Sequence, residues 1–592
     1  MGMIPDIQTF VEILRREGQL AEISVEVDPY LEAAEIHRRV IAARGPAILF
    51  KNIKGSPYPL VTNLFGSTKR IEMAFGPRPG EVIKAIATLP EQLIHPSLRL
   101  AWEKRSLVAA LAKVGLKRVR RGPVSEVIES PSKLTELPLL TTWEKDGGPF
   151  ITLPLVYTQH PSNGSHNLGM YRVQRYDDST TGLHMQIGKG GGFHLAEYSR
   201  LGNPMPVNIH IGGPPALILS AISPLPENVP ELMLASLVLG RKLPMARNPL
   251  GPLPFAANSE FVLVGEVRPG EMHPEGPFGD HYGYYSLKHD YPLFRCKGML
   301  RRKNPICTAT VVGKPRQEDF YLGDYLQELL APLIKLVMPA VQDLWSYGET
   351  GYHSLAAAVV QERYARESLA TSFRILGEGQ LSLTKFLLLL DKPLDLRNFK
   401  DVLEYVLARA DFEKDLFVFS NTAMDTLDYT GPKVNFGSKG VLIGSGDPIR
   451  SLPNSYSGTC PSGLDKISVF CSGCLVVSGT NHKSDPELAT KISKIEPFRD
   501  WPLIILVDDA MRATKSVMSF LWTVFTRFEP AADIYGKSIN IERHHLKYEY
   551  PILIDARMKG TYPDELFCDT KTAKIVDSRW HEYFPDGMEM GD

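Results

Sequence analysis

The chain has 592 residues, and its 66 Lys and Arg balance 67 Asp and Glu to a formal net charge of −1. Apolar residues make up 43% and charged residues 22%, which is typical of a folded globular protein and excludes collagen-like, coiled-coil and disordered classes. The near-zero charge also argues against nucleic acid as the main partner, because phosphate binding needs a basic surplus or a clear basic patch.

The cysteine content and the absence of long apolar runs predict a cytoplasmic protein. Six cysteines in so long a chain do not form a disulfide framework, and reduced thiols in a cytosol are the better interpretation. The first 20 residues carry acidic and basic side chains within one amphipathic helical pattern, unlike a secretory signal peptide. No uncharged apolar run reaches the roughly 18 residues of a membrane span.

The first 121 residues predict an α+β domain. Its predicted elements are helices at 7–16, 31–44 and 81–89 and strands at 19–27 and 47–50. The basic run from Lys117 to Arg121 then predicts a solvated linker rather than a binding patch.

Residues 122–320 differ in composition and pattern from the first domain, because Gly and Pro are frequent and helical periodicity is scarce. Short β-rich runs lie at 151–158, 170–175, 207–211, 216–221, 260–267 and 306–311, and one helix is predicted at 230–239. Many short strands separated by turn residues predict a closed or sandwiched β-core.

The rest of the chain alternates strands and helices, which predicts α/β layers. Residues 387–419 match 505–535 and its lead-in at a constant offset of 118, so that Asp391 corresponds to Asp509. We favour an internal duplication, although two generic βαβ units could agree as well by chance. The predicted domains are 1–121, 122–320, 321–445 and 446–592, the last being a second α/β copy with a structural or oligomerising role.

A first candidate site is the segment 167–172, NLGMYR, at the start of a predicted strand. Alternation in a strand puts Met170 and Arg172 on one face and Tyr171 on the other. An arginine that pointed into a β-core would need a fixed anionic partner, because burying it unpaired is very costly. A structural arginine on the outer face is the competing interpretation, and on the residues alone it is the better one.

A second candidate is the segment 275–280, EGPFGD, where Gly and Pro separate Glu275 from Asp280 on an irregular turn. Such a turn can bring both carboxylates near one point. Like charges held together raise one pKa, as a proton donor at neutral pH requires. An ordinary solvated Gly-Pro loop is the competing interpretation and has more weight from spacing alone.

Three weaker patterns remain. The run 188–192, GKGGG, lets backbone N–H groups approach an anion, but it matches no nucleotide-binding motif and is also typical of a flexible hairpin. Glu231 begins a predicted helix, where an acid normally complements the helix dipole and binds a metal only if other oxygen ligands converge on it. Cys460, Cys471 and Cys474 form a weak zinc pattern, and reduced core cysteines fit the following apolar run better.

These segments occur together, in this order, in the UbiD family of decarboxylases, which the chain resembles from about residue 5 to 445. NLGMYR, the segment 220–231, EGPFGDHYGYY and Gly437-Ser438-Lys439 are similar to the family's cofactor and catalytic motifs, and the runs 45–50 and 58–66 to its first domain. The resemblance implies a split β-barrel domain that binds prenylated FMN, with the flavin phosphate held through Mn²⁺ or Mg²⁺ and K⁺.

Residue by residue, the resemblance implies Asn167 and Glu231 as metal ligands, for which their hard oxygen donors are suited. The K⁺ ion would be bound by backbone groups around Leu168, Ser220, Ala221 and Ser223. Family members commonly have a metal-binding His at the position of Gly188. Here either His194 takes its place, or a water fills it, or the metal binds more weakly.

The resemblance also implies the flavin contacts and the catalytic groups. The positions that match flavin contacts are Met170, Tyr171, Arg172, His184, Met185, Gln186, Lys189, Gly190 and Lys439. The catalytic trio is Arg172, Glu275 and Asp280. Arg172 would bind the substrate carboxylate in a fork-to-fork pair, and Glu275 or Asp280 would deliver a proton to the carbon that loses carbon dioxide.

The implied activity is a non-oxidative, reversible decarboxylation of an aromatic or α,β-unsaturated acid. The extra C-terminal copy favours a long quinone-pathway member acting on a hydroxybenzoate or a dihydroxynaphthoate. A prenylated substrate would have to be taken from a membrane surface, so a transient membrane contact stays open, although no amphipathic anchor stands out. A flavin prenyltransferase would supply the cofactor, and relatives imply a homodimer or homohexamer.

Two alternatives stay open. Because the metal-binding His is missing at Gly188, the chain could be a non-catalytic flavin-binding or assembly subunit of a decarboxylase complex. The cysteine pattern leaves a zinc-binding structural protein as the other.

Overall fold

The structure, a computed structural model, describes residues 3–94, 98–185, 190–225, 229–314 and 316–591. The chain divides into two compact units. The first runs to Leu329 and includes the last residues from Asp564 onward, and the second comprises Leu330–Pro563. Among the helices of the described ranges, none combines the length and the apolar composition that a bilayer crossing requires.

The first unit begins with an α+β region, as predicted. Its elements are α1 (Ile7–Arg16), β1 (Leu20–Ile23), α2 (Glu32–Ala42), β2 (Ala47–Phe50), β3 (Leu60–Thr62), α3 (Thr68–Phe75), α4 (Arg78–Leu93), α5 (Leu98–Glu103), α6 (Arg105–Leu111) and β4 (Leu116–Val119). The helix α1 begins where Asp6 accepts a hydrogen bond from the N–H of Thr9 at 2.9 Å, and it buries Phe10 and Leu14 on one face. The predicted strand at 19–27 is shorter than expected.

The central part of the first unit is built on one antiparallel sheet. Its elements are β5 (Val127–Glu129), β6 (Phe150–Ile151), β7 (Pro154–Gln159), β8 (His166–Gly169), β9 (Val173–Arg175), β10 (Thr180–Leu183), α7 (Gly190–Arg200), β11 (Met205–Ile211), α8 (Pro215–Ala221), α9 (Glu231–Leu239), β12 (Leu243–Ala246), β13 (Phe255–Ala256), β14 (Phe261–Glu275), β15 (His289–Arg301) and β16 (Cys307–Thr308). The sheet has the order β6-β9-β10-β15-β14-β11-β7-β8, and β5 pairs with the last part of β15. The predicted β-core is therefore present.

Residues 170–172 differ from the prediction, because they lie between strands rather than in one. They connect β8, at one end of the strand order, to β9, next to the other end. A chain that crosses between the two ends of a sheet leaves the hydrogen-bonded ladder, so the alternation of faces predicted for Met170, Tyr171 and Arg172 does not apply.

Three further segments also differ from the prediction. Residues 216–221 form the helix α8 rather than a strand, because a short apolar run that is buried throughout has no periodicity to distinguish the two, while Pro215 suits a first helical turn. Gly190 to Gly192 form the first turn of α7 rather than a hairpin. Lys117 lies in β4, which pairs in parallel with β12, rather than in a linker.

The second unit contains two five-stranded sheets. After α10 (Glu318–Val337), the elements are β17 (Val341–Ser346), β18 (Leu355–Val360), α11 (Glu367–Ile375), β19 (Phe386–Leu390), α12 (Phe399–Arg409), β20 (Leu416–Ala423), β21 (Phe436–Gly444), β22 (Leu464–Cys471), β23 (Cys474–Gly479), α13 (Leu488–Ile492), β24 (Leu503–Val507), α14 (Ala510–Thr514), α15 (Val517–Phe525), α16 (Pro530–Asp533), β25 (Ile534–Gly536), β26 (Ile539–Glu542), β27 (His545–Tyr548) and β28 (Ile552–Asp555). The two sheet orders are β17-β18-β19-β21-β20 and β22-β23-β24-β28-β25.

The two sheets have the same topology. In each, the outer pairs of strands are antiparallel and the two inner pairs are parallel. The helix α12 begins at Phe399 and α15 at Val517, which keeps the offset found in the sequence. Chance similarity of two βαβ units would not reproduce a whole five-stranded order, so the topology supports duplication over that alternative.

The end of the chain belongs to the first unit. The helix α17 (Thr570–Tyr583) contacts α2, and Val576 and Tyr583 are buried in the core of the N-terminal region and the antiparallel sheet. The Tyr583 hydroxyl is hydrogen-bonded to Glu32. The domain boundaries predicted from the sequence placed these residues in the second α/β copy, because the pattern of an amphipathic helix does not reveal which core the helix covers.

Shortening Tyr583 to alanine tests how far α17 stabilises the first unit. The side chain is 1% exposed, so we expect Tyr583→Ala to lower the free energy of unfolding by about 3–5 kcal/mol. Ile575→Ala on the same helix removes a side chain that is 49% exposed and is expected to cost no more than about 0.5 kcal/mol. Thermal unfolding and limited proteolysis would measure both, and equal effects would contradict the buried role of Tyr583.

Candidate active site

Arg172 is the side chain at which the two predicted acids meet. Its Nε donates to Oε1 of Glu275 at 2.7 Å and its Nη2 to Oε2 at 2.9 Å, and its Nη1 is hydrogen-bonded to Asp280. Nη2 also donates to the hydroxyl of Ser286 at 2.9 Å. The Arg172 side chain is 8% exposed and that of Glu275 is fully buried. The anionic partner that a buried arginine needs is therefore a pair of carboxylates from this chain.

Two side chains from outside the loop fix the backbone between the acids. The N–H of Gly276 donates to Oε1 of Gln174 at 2.8 Å, and the N–H of Gly279 donates to Oδ1 of Asp146 at 2.8 Å. A Cβ on Gly279 would lie 2.1 Å from Cδ1 of Trp143, so only glycine fits there. The turn is therefore held on both sides, and the two acids are kept in place by backbone contacts.

Ser286 joins the loop to the guanidinium. Its hydroxyl accepts hydrogen bonds from the N–H of Phe278 at 3.1 Å and from Arg172. The guanidinium carbon of Arg172 lies 4.9 Å from the centre of the Phe278 ring, a cation–π contact. The sequence prediction missed Ser286, Gln174 and Asp146. Ser286 directly follows the EGPFGDHYGYY motif, whereas no sequence pattern indicates the other two.

The electrostatics of the trio differ from the expectation that two nearby acids raise one pKa. Burial alone would raise the pKa of Glu275, but the charge and hydrogen bonds of Arg172 and a hydrogen bond with His184 lower it to about 2. Burial likewise opposes the ionised form of Asp280, yet His281 and Arg172 together hold its pKa well below the usual range. The pair of acids raises the pKa of Arg172. Both acids are therefore ionised in this state.

Each acid also has a histidine neighbour. Nδ1 of His184 lies 3.3 Å from Oε2 of Glu275, and its ring centre is 4.2 Å from that of Tyr291. Burial and the charge of Arg172 lower the pKa of His184, which favours a neutral imidazole. Nδ1 of His281 lies 2.6 Å from Oδ1 of Asp280, and the His281 side chain is 30% exposed.

The predicted metal ligands come from three elements that lie together. Asn167 is on β8, His194 is on α7 and Glu231 starts α9, and both helices contact β8. Oε2 of Glu231 accepts the N–H of Leu168 at 3.0 Å, and Nδ1 of His194 is 2.9 Å from the hydroxyl of Thr158, the cross-strand neighbour of Asn167.

The donor set suits a divalent cation. Burial raises the pKa of Glu231, so a nearby cation would favour the ionised form of its carboxylate. A Cβ on Gly190 would lie 2.1 Å from Oδ1 of Asn167, so the first residue of α7 lets the backbone approach that oxygen. The amide of Asn167 and the carboxylate of Glu231 offer the oxygen donors that Mn²⁺ and Mg²⁺ prefer.

The predicted K⁺ groups lie beside this set. Ser220 and Ala221 end the helix α8, which contacts β8, and backbone carbonyls at a helix end lack helical partners. The carbonyl of Ser220 accepts the N–H of Ser223 at 3.2 Å.

The cysteines do not form a metal site with their neighbours. Cys471 and Cys474 are buried on the paired strands β22 and β23, whereas Cys460 is exposed. Across the parts of the chain that the structure describes, no three His, Cys, Asp or Glu side chains group as ligands of an ion. This result weakens the zinc alternative. A metal site that includes Asn167 would need its amide oxygen as a ligand.

The remaining predicted flavin contacts are distributed over both units. The Tyr171 hydroxyl accepts the N–H of Gly191 at 3.2 Å, and a Cβ on Gly191 would lie 3.0 Å from Cε of Met185. Met170 precedes Tyr171 in the connection between β8 and β9. Lys439 lies on β21 of the second unit, where Nζ donates to the carbonyl of Thr384 at 2.8 Å and burial lowers its pKa to about 8. Two predicted flavin contacts, Gln186 and Lys189, lie outside the described residues, as does Gly188.

Comparison with known proteins identifies the family. The models of the N-terminal, Rift-related and C-terminal domains of 3-octaprenyl-4-hydroxybenzoate carboxy-lyase match residues 11–89, 117–315 and 320–444. A Chlamydia pneumoniae protein, named as one of the subunits of a 4-hydroxybenzoate decarboxylase, is 48% identical over 580 residues, which is 98% of each chain. The second sheet of the second unit therefore lies beyond the family models but within this relative.

Solved structures agree with this result. Vanillic acid decarboxylase of Sedimentibacter hydroxybenzoicus, in its closed form, is 25% identical with a TM-score of 0.66 over 78% of this chain and 96% of that chain. An evolved dimeric form of the UbiD-class enzyme HmfF from Pelotomaculum thermopropionicum, solved with prenylated FMN, shares the fold at 21% identity, with a TM-score of 0.60 over 78% of this chain and 98% of that chain. The resemblance seen in the sequence is thus confirmed, and the chain belongs to the UbiD family of carboxy-lyases.

Proposed function

We propose that this chain is a non-oxidative, reversible decarboxylase of a hydroxylated aromatic acid that works with prenylated FMN. The observation that carries the proposal is the buried guanidinium of Arg172 shared by Glu275 and Asp280. The names of the Chlamydia pneumoniae relative and of the vanillic acid decarboxylase support a hydroxybenzoate-type substrate. A step in quinone biosynthesis, on a hydroxybenzoate or a dihydroxynaphthoate, is the pathway that we favour.

The flavin would be held by residues of the antiparallel sheet and of α7. The flavin would contact Met170, Tyr171, Arg172, His184, Met185 and Gly190, and Lys439 is kept as a proposed flavin contact from the family resemblance. The three glycines that open α7 favour a phosphate nearby, because the N–H groups and the dipole of a helix N-terminus attract anions. Asn167, Glu231 and His194 would bind the divalent metal, and backbone groups around Ser220 would bind K⁺. When bound, prenylated FMN supplies an electron-accepting ring for the electron pair of the broken bond.

Arg172 would bind the substrate carboxylate, and this requires an exchange of partners. A guanidinium has five N–H donors, and four of those of Arg172 are already directed at Glu275, Asp280 and Ser286. A substrate carboxylate can form a two-bond pair only if one acid gives way. The displaced acid then loses the contribution of Arg172 to its lowered pKa, which for Glu275 is the largest lowering contribution, while burial still raises that pKa, so the acid takes up a proton. Substrate binding would in this way prepare the proton donor.

The reaction that follows is balanced without an oxidant or a reductant. The bond between the ring carbon and the carboxylate breaks, the electron pair stays with the organic fragment, and carbon dioxide leaves. A new C–H bond forms with the proton delivered by Glu275 or Asp280. Because both acids contact the same guanidinium, either can serve as the donor, and the reverse reaction uses the same groups when carbon dioxide is abundant.

The proposal predicts that Glu275→Gln, in protein produced together with a flavin prenyltransferase, loses at least about 100-fold in turnover but keeps the absorbance of bound flavin. Carbon dioxide release from hydroxybenzoates and dihydroxynaphthoates would measure turnover. The matched control is Glu271→Gln on the same strand β14, where the acid pairs with the partly exposed Arg295, and it should keep wild-type activity.

The same experiment addresses the non-catalytic alternative. Normal turnover by Glu275→Gln would rule out the assigned acid. A flavin-loaded wild-type chain that releases carbon dioxide only after a partner protein is added would instead indicate an assembly subunit.

Substrate binding should also take up protons. At neutral pH both acids are ionised in the free protein, and we expect binding of a hydroxybenzoate to protein without prenylated FMN to take up as much as one proton per site. Isothermal titration calorimetry in buffers of different ionisation enthalpy would measure the uptake. Whichever of Glu275→Gln and Asp280→Asn abolishes it identifies the acid, and the uptake should fade as the pH rises above the pKa of the bound state. Binding without proton uptake throughout would contradict the exchange at Arg172.

A further inference from the structure

Asp280 is part of a short β-hairpin formed by residues 278–286. Its N–H donates to the carbonyl of Tyr284 at 3.0 Å, and Gly279 forms the neighbouring bridge with Tyr285. An isolated two-stranded hairpin is only marginally stable in water. The position of the Asp280 carboxylate therefore depends on the contacts that hold this hairpin in place.

A segment near the end of the chain adds a third strand to the hairpin. We call it the C-terminal strap and define it as residues 564–566. The N–H of Tyr285 donates to the carbonyl of Asp564 at 3.0 Å, and the N–H of Leu566 donates to the carbonyl of Gly283 at 3.0 Å. These two bonds flank an antiparallel bridge, so the strap pairs with the hairpin as one strand of a sheet pairs with the next.

The side chain of Leu566 supports both arms of the hairpin. It is 3% exposed and packs with Trp143 and Tyr285 in one apolar cluster. Trp143 is the side chain that leaves no space for a Cβ on Gly279, the residue before Asp280. Leu566 therefore contacts one arm directly, through Tyr285, and reaches the other arm through Trp143.

Charged side chains anchor the strap to other segments of the first unit. Nζ of Lys145 donates to Oδ2 of Asp564 at 2.6 Å, and both side chains are well exposed. The Glu565 carboxylate pairs with Lys314, and the Glu565 side chain is only 10% exposed. Because solvent and salt screen a partly buried pair less than an exposed one, the pair with Lys314 is the stronger anchor.

We propose that the C-terminal strap positions Asp280 for the proposed decarboxylation, with Leu566 as the main positioning residue. The strap lies beyond the part of the chain that the family models match, so no family motif assigns it this role. Glu275 is held differently, because it ends the long strand β14. The effect of the strap on turnover rests on the proposed function, whereas its effect on the hairpin does not.

Leu566→Ala in the full chain loaded with prenylated FMN tests this role. The substitution removes the shared partner of Trp143 and Tyr285, and a misplaced Asp280 lowers the rate of the chemical step. For a hydroxybenzoate substrate, we expect kcat to fall about tenfold or more, while KM changes less than about threefold because Arg172 keeps its place beside Glu275.

Hydrogen–deuterium exchange measured by mass spectrometry gives a second readout that needs no substrate. In Leu566→Ala, peptides that cover residues 278–286 should exchange about tenfold faster or more, because the N–H of Tyr285 loses a stable partner. Peptides from the strands β9 and β11 should exchange as in the wild type.

Two further variants serve as controls. Leu566→Met keeps the volume of the side chain and should retain most of kcat and the slow exchange of the hairpin. Phe567→Ala, directly after the strap, removes a side chain that is 64% exposed and should behave like the wild type. Thermal unfolding checks that all variants are folded, and Leu566→Val, a smaller truncation, should show the same changes at reduced size if Leu566→Ala does not fold.

Unchanged exchange of residues 278–286 in the Leu566 truncations would show that the strap does not hold the hairpin, and the proposal would be wrong. Faster exchange with unchanged kcat, or faster exchange in all peptides alike, would also overturn it. A flavin-loaded wild-type chain without decarboxylase activity would contradict the proposed function instead, and the exchange of the hairpin would still decide whether the strap holds Asp280.

Discussion

The buried pairing of one guanidinium with two carboxylates is the interaction on which the rest of the site depends. Arg172 has its side chain 8% exposed, and its bidentate partner Glu275 is fully buried. An unpaired charge at this position would be very costly, so the acids and the arginine stabilise one another's ionised forms. In the proposed reaction, the same pairing would keep the acids from acting as proton donors until another anion competes for Arg172. The arrangement that stabilises the three ionised groups would thus make proton delivery depend on the substrate.

The fold stabilises this pairing through hydrogen bonds that fix the backbone of the loop between the two acids. Arg172 lies where the chain crosses from β8 to β9, between the two ends of the antiparallel sheet order. The loop of the acids is held by Gln174 and Asp146 through the N–H groups of Gly276 and Gly279. Because the anchors are side chains of separate segments, the geometry of the trio depends on the whole sheet being formed. Glycine is required at position 279 because the Trp143 side chain leaves no space for a Cβ there.

Much of the fold could be predicted from the sequence, and the failures have physical causes. The helices at 7–16 and 31–44 have clear periodicity, and the repeated offset of 118 residues indicated a second α/β copy, which the second five-stranded sheet supports. The buried helix α8 was predicted as a strand, since an apolar run buried on every side has no periodicity. The motifs indicated which residues would form the trio, but neither the crossing at 170–172 nor the anchors Gln174 and Asp146 has a local sequence pattern. The lowered pKa values could not be predicted either, because they depend on distances to Arg172.

The most direct test of the central claim traces the proton that replaces the carboxylate in the product. Cofactor-loaded enzyme would be incubated with hydroxybenzoates and dihydroxynaphthoates in D₂O, and carbon dioxide and product would be analysed by mass spectrometry. If a buried, exchangeable acid beside Arg172 completes the reaction, carbon dioxide will match the acid consumed and the product will carry a single deuterium at the carbon that lost the carboxylate. Consumption of the acid without carbon dioxide, or a product without deuterium at that carbon, would contradict it.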